Sequence, residues 1–279
     1  VIIAIAYRHS VERGRLGNLP KVGADGARAW QVYARPLALS QKLKGDAPRI
    51  ALLVGGLGLS PTTTQAAMEK LPADVSFAFA PYGSDVATQA AGARDAGHEI
   101  FLQAPMEPFD YPQNNPGPHT LMVKASPDEA TSDLHWLMSR FPGYVGVVNF
   151  LGARFMSTQD AIAPFMRELA ARGVGFVDDG SSPQSLAAGV GANVGAAVAR
   201  ADMVLDADAK PEAIETQLSK LEQIARQKGF ALGVASAIPG SIDKLSRFAK
   251  GLENRGIALV PASVALGRER EPQAEARRP

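Results

Sequence analysis

Three places in this chain repeat one device, a cation and then a glycine leading into an apolar run. They are Arg172-Gly173 before Val174–Val177, Lys228-Gly229 before Ala231–Ala235, and Arg255-Gly256 before Ile257–Val260. A cation in a last helical turn faces the negative end of the helix dipole. A glycine just past it takes the left-handed conformation that ends the helix. Each repeat therefore reads as a helix running directly into a strand. Further apolar runs stand at Ile50–Val54, Val75–Ala80, Glu99–Leu102, Val145–Val148 and Met203–Leu205. Several are apolar at consecutive positions, as in strands covered on both faces of a parallel sheet. Amphipathic stretches lie between the runs, at Pro61–Lys70, Asp85–Ala96, Pro127–Ser139, Thr158–Arg172, Pro211–Lys228 and Ile242–Asn254. Ser60-Pro61 and Ser126-Pro127 each offer an N-cap followed by proline at the first helical position, the second with Glu129 completing a capping box. The pattern predicts a parallel (β/α) array of seven or eight units. It does not by itself separate a closed barrel from an open sheet.

The flanks are different. Residues 1–48 read as an irregular extension, interrupted by Gly14, Gly17, Pro20, Gly23, Gly26, Pro36 and Pro48, with one strand expected at Ala29–Ala34. The barrel domain is expected over 49–266, and the polar run 267–279 as a disordered tail. Val1–Ala6 is apolar but far shorter than the ~20 residues of a membrane span, so an N-terminal anchor on the full-length protein is an expectation only. With 29 basic and 28 acidic side chains the net charge is +1, and no basic block is present, which argues against nucleic acid as partner. The absence of cysteine removes thiolate nucleophiles and cysteine zinc sites.

In parallel α/β folds the working surface lies at the C-terminal ends of the strands. Those ends carry Gly55-Gly56, Pro81-Tyr82, Gln103 through Pro108, Asn149, Asp178-Asp179-Gly180, Asp206 and Ser236. The phrases RIALLVGGLGLS, HEIFLQAPMEP, VGVVNFLGARF, VGFVDDGSS and ALGVASAIP contain these residues. In order and spacing, over Arg49 to Ala265, they resemble the divergent polysaccharide deacetylase family. The resemblance implies a deformed (β/α) barrel, a place in the Gram-negative periplasm or envelope, and carbohydrate ligands. It also exposes departures. Where the family carries an Asp-Asp pair, this chain has Gly55 and Gly56. Histidines of the family fall at Gln103, Phe150 and Ser236. Metal-assisted deacetylation needs a divalent ion to polarise the acetyl carbonyl and a carboxylate to take the proton from water. Glycine does neither.

The remaining candidates are few. Asp178 and Asp179, with Glu107 and Asp206, offer carboxylates for a base or a hard-metal site. The simpler reading has Asp178 accepting backbone N–H bonds and Asp179 opening an Asp-Gly turn. Glu107 and Arg154 are expected as an ion pair across the rim. The loop FDYPQNNPGPHT contains Tyr111, a platform for a pyranose ring, and His119, the one histidine placed near the rim. Gln103, Glu107, Tyr111, Asn149, Arg154 and Ser236 are the expected substrate contacts. Neither a metal site nor a cofactor is expected in the leading reading, in which a non-catalytic domain binds envelope glycan or an envelope protein. A divalent metal belongs only to the alternative, a hydrolase with a carboxylate site. A third reading is a structural subunit of an envelope complex.

Overall fold

The computed structural model describes residues 11–37 and 46–268. The expected tail from residue 269 on and the apolar Val1–Ala6 lie outside the described residues. The described residues begin with an antiparallel hairpin, β1 (Val11–Gly14) and β2 (Gly17–Pro20), and a short helix, α1 (Ala29–Val32). This corrects the strand expected at Ala29–Ala34. Six residues are too few to tell the two periods apart, and the Trp30 N–H is held by Gly173 O rather than by a neighbouring strand.

The barrel follows. Its strands are β3 (Arg49–Leu57), β4 (Ser76–Phe79), β5 (Ile100–Met106), β6 (Gly146–Leu151), β7 (Gly175–Asp178), β8 (Val198–Arg200), β9 (Met203–Val204), β10 (Phe230–Ser236) and β11 (Ala258–Val260). Every pairing among them is parallel, in the order β8-β7-β6-β5-β4-β3-β10-β9, with β11 set against the start of β3. The two ends of that path are halves of one segment. Ala201 N–H donates to Asp178 O on the β7 side, and Leu205 N–H donates to Val234 O on the β10 side. The chain thus leaves one edge and joins the other, and the sheet curls into a deformed parallel (β/α) barrel.

The strands are held by burial on both faces. Ile50 through Val54 on β3 are all 2% exposed or less, as are Phe77, Phe79, Phe101 and Phe176. Each such aromatic contributes roughly 1.5–3 kcal/mol relative to exposure. Helix chemistry sets the connections. Ser60 caps α2 (Pro61–Lys70) through Thr63 N–H, and α3 (Val86–Asp95) follows β4. Ser126 and Glu129 form a complete capping box on α4 (Pro127–Met138). After β6 come α5 (Ala153–Met156) and α6 (Gln159–Arg172), then α7 (Ala187–Val194), α8 (Pro211–Lys228), α9 (Pro239–Gly251) and α10 (Ser263–Arg268). Gly173, Gly229 and Gly256 all have φ between 67° and 77°, the left-handed ending that the cation-glycine pairs predict.

The N-terminal end of the barrel is sealed by one buried acid. Glu99 accepts hydrogen bonds from Ser76 Oγ, Arg35 N–H, Ser263 N–H and Ser263 Oγ. The extension is tied in here as well: the Arg35 guanidinium donates to Asp74 and to Gly97 O. Chemistry is left to the opposite end.

Candidate functional site at the strand ends

The site begins with a bulge. The β3–β4 register shifts between Val54 and Leu57, and Gly56 within it has φ of 80°. β3 therefore continues to Leu57 instead of stopping at Val54, and the extra residue aims the Gly56 N–H inward. That N–H donates to Gln103 Oε1 at 2.8 Å. A Cβ on Gly55 would stand 2.8 Å from Gln103 Nε2. The amide of Gln103 therefore lies against the bare Cα of Gly55, in space that a side chain at residue 55 would need.

A cavity of about 440 Å³ opens around this pair. Leu53, Ala78, Val148 and Val234 give it apolar walls, and Gln103, Asn149, Asp179, Ser181 and Ser236 bring polar groups to it. Two aromatic rings, Tyr82 and Phe150, also line it. The Tyr82 hydroxyl donates to Pro118 O at 2.9 Å, pinning the loop after β5 across the mouth. Burial pushes that hydroxyl up to about 12, so it stays a neutral donor.

Of the expected contacts, Gln103, Asn149 and Ser236 line the cavity together with Asp179. Glu107, Tyr111, Arg154 and Asp178 do not. The Asn149 amide is already used within the fold: Nδ2 donates to Leu151 O and Oδ1 accepts the Asp179 N–H. Glu107 is 3% exposed and engaged at both oxygens, by Arg154 Nη1 at 2.7 Å and Val123 N–H at 2.6 Å. The expected ion pair exists, and it anchors the loop beneath the rim. Asp178 accepts the Gly180 N–H and pairs with Arg200 at 3.1 Å. Asp206 accepts the Ser236 N–H and the Ser241 hydroxyl, serving the first turn of α9, whose own N-cap residue Ile238 offers no side-chain bond. His119 stacks on Trp136 with centroids 3.9 Å apart and bonds Asp133 at 2.7 Å, so its ring fastens the loop to α4.

Asp179 is the carboxyl that remains. Its Oδ1 accepts the Ser181 N–H at 2.8 Å. Burial raises its pKa above the ordinary range, against the hydrogen bonds from Ser181 and Asn149, with the nearby Asp178 charge adding to the rise. Among the described residues no three His, Asp or Glu side chains come together to hold a metal ion. The donor set at this rim, one carboxyl with amides and hydroxyls, does not fit the divalent metal of a deacetylase.

Sequence reasoning did not single out Tyr82 as a contact. Its signal was a position just past an apolar run, one residue further on than Gln103 and Asn149 stand.

A family model described as divergent polysaccharide deacetylase matches residues 52–266. The uncharacterized protein YibQ of Escherichia coli K12 is 24% identical over 247 residues, covering 88% of this chain and 75% of that protein. A crystal structure of the uncharacterized protein ATU2773 from Agrobacterium tumefaciens C58 superposes with a TM-score of 0.85 at 43% identity, over 89% of this chain and 99% of that one. The catalytic domain of a peptidoglycan N-acetylglucosamine deacetylase from Eubacterium rectale aligns at a TM-score of 0.50 and 12% identity, over 82% and 96% of the two chains, a likeness of fold alone.

Proposed function

The chain belongs to the divergent polysaccharide deacetylase family, and we propose that it is a non-catalytic member that binds cell-envelope glycan in the strand-end cavity. The observation that carries this reading is the Gly55–Gln103 packing. Hydrolysis of an acetamide needs a polarised carbonyl and a base for the attacking water. One carboxyl in the cavity, Asp179, cannot both ligate a metal and accept that proton. Glu107 and Asp178 are committed to backbone and arginine partners, and Asp206, whose Oδ2 holds Ser236 N–H and the Ser241 hydroxyl and whose Oδ1 is buried without a partner, does not line the cavity. What the cavity does offer suits a sugar: two aromatic faces for a pyranose ring, and an amide, a carboxyl and two hydroxyls for its polar edge. The periplasm or envelope is the setting that fits such a ligand. Among the described residues no helix is long and apolar enough to cross a membrane.

The test is titration calorimetry of the full chain with chito-oligosaccharides and soluble peptidoglycan fragments, alongside metal analysis of the purified protein. The reading expects saturable binding, at least about tenfold weaker in Gln103→Ala and Tyr82→Ala, and sub-stoichiometric metal. Stoichiometric metal lost on Asp179→Asn would overturn it.

A second reading, an envelope protein as ligand, has its own support. Of the seven exposed large apolar side chains among the described residues, Leu59 and Phe150 line the cavity, and Phe109 and Ile238 stand within three residues past the ends of β5 and β10. Apolar groups ringing a pocket are common at protein contacts. Glycan binding unchanged by Phe109→Asp and Ile238→Asp, neither of which lines the cavity, keeps the first reading ahead.

A further inference from the structure

Asp179 is the one charged side chain that lines the cavity. No ion pair joins it to a lysine, arginine or histidine among the described residues. The rim arginines are engaged elsewhere. Arg200 bonds Asp178, Gly180 O and Ser182 O, while Arg154 bonds Glu107 and Arg140 donates to Pro81 O. The carboxyl therefore sits beside apolar walls with neutral hydrogen bonds from Ser181 and Asn149 and no compensating charge. A half-buried acid in that position gains most from a ligand that brings its own cation, because a charge-assisted hydrogen bond in a partly dry site is about twice as strong as a neutral one. Burial holds this carboxyl above its usual range, the behaviour expected of a site that lacks its counter-charge.

Resting on the glycan reading above, we infer that the cavity selects amino sugars bearing a free primary amine over those that keep the acetyl group, with the ammonium on Asp179 and the ring between Tyr82 and Phe150. An acetamide carries no charge to meet Asp179, and its carbonyl would compete with the carboxyl for the same donors. Gln103 Nε2 remains as a donor for a ring or hydroxyl oxygen, since Oε1 is held by Gly56. The chain would thus read the product of de-N-acetylation, and a deacetylating enzyme must act before it.

Titration of the full chain with a glucosamine tetramer and with an N-acetylglucosamine tetramer, at a pH where the amine is protonated, tests this. The amine form should bind at least about tenfold more tightly. Asp179→Asn, which keeps an acceptor for the Ser181 N–H, should abolish the preference, and Asp179→Ser should do the same with an unchanged melting temperature. Equal or tighter binding of the acetylated tetramer overturns the inference and leaves the glycan reading standing. Binding of neither overturns both. A lysine tetrapeptide that binds as tightly, with the same dependence on Asp179, overturns the selection of a sugar.

Discussion

The side-chain amide of Gln103 and the bare Cα of Gly55 occupy adjoining space, with Nε2 2.8 Å from where a Cβ on residue 55 would lie. Oε1 of the same amide accepts the Gly56 N–H. The two positions are therefore coupled. Gly55→Ala should push Gln103 aside and lose that hydrogen bond, costing about 1 kcal/mol. Adding Gln103→Ala to Gly55→Ala should cost less than Gln103→Ala does alone. A double-mutant cycle by urea denaturation reads the coupling directly, and additive effects would show the contact to be incidental.

Asp178 is 3% exposed at its side chain and depends on Arg200 for its charge partner. Removing the partner leaves a buried carboxylate uncompensated. Arg200→Met should lower stability by about 3 kcal/mol, and Arg200→Lys by less. A loss below about 1 kcal/mol in equilibrium denaturation would place the pair with weak surface bridges.

At the opposite end of the barrel, Glu99 accepts two backbone and two side-chain donors. Glu99→Ala leaves the N–H groups of Arg35 and Ser263 without their acceptor and should cost about 3 kcal/mol. Ser76→Ala removes a smaller part of the same network, two hydrogen bonds (its donation to Glu99 and its acceptance of the Ala262 N–H) against the four that Glu99 accepts. Melting temperatures of the two variants should fall in that order.

Acid should act through Glu168. Burial works against its ionisation, but hydrogen bonds from His135 and Arg172 outweigh it and hold the carboxyl below its ordinary range. An acid depressed in the folded state contributes stability above its unfolded value, ~4.3, and that stability is lost as pH falls through the folded value. Arg172 also bonds Glu12 and Pro20 O, so the same cluster holds the N-terminal hairpin. The melting temperature of Glu168→Gln should lie below the wild type at neutral pH and converge with it as pH falls below the unfolded value, ~4.3. Parallel curves across that range would remove Glu168 from the acid response.

The barrel strands were legible because burial on both faces leaves a continuous apolar run, and the helices because Ser60, Ser126 and three glycines mark their ends. α7 was not legible. Its sequence, AAGVGANV, has two glycines that weaken helix propensity, and it is set in place by the Leu186 N–H on Met156 O. β8 is only three residues long. In the site, the sequence separates Asp178, an acceptor of backbone N–H bonds, from Asp179 at the Asp-Gly turn, but not which of them faces the cavity. Asp178 ends β7 and meets Arg200, while Asp179, one residue past the strand, takes its direction from the turn and lines the cavity. Tyr111 and Tyr82 differ in the same way. Loop composition favoured Tyr111, while the tertiary course of the loop after β5 puts Tyr82 at the cavity and beneath Pro118.

A rim with one cavity carboxyl and, among the described residues, no set of metal ligands should not activate water. Release of acetate from N-acetylated chito-oligosaccharide by the purified chain, measured with and without added zinc or cobalt, tests it most directly. No release above the protein-free blank is expected under either condition. Acetate appearing at a rate set by the added cation, and lost in Asp179→Asn, would contradict it.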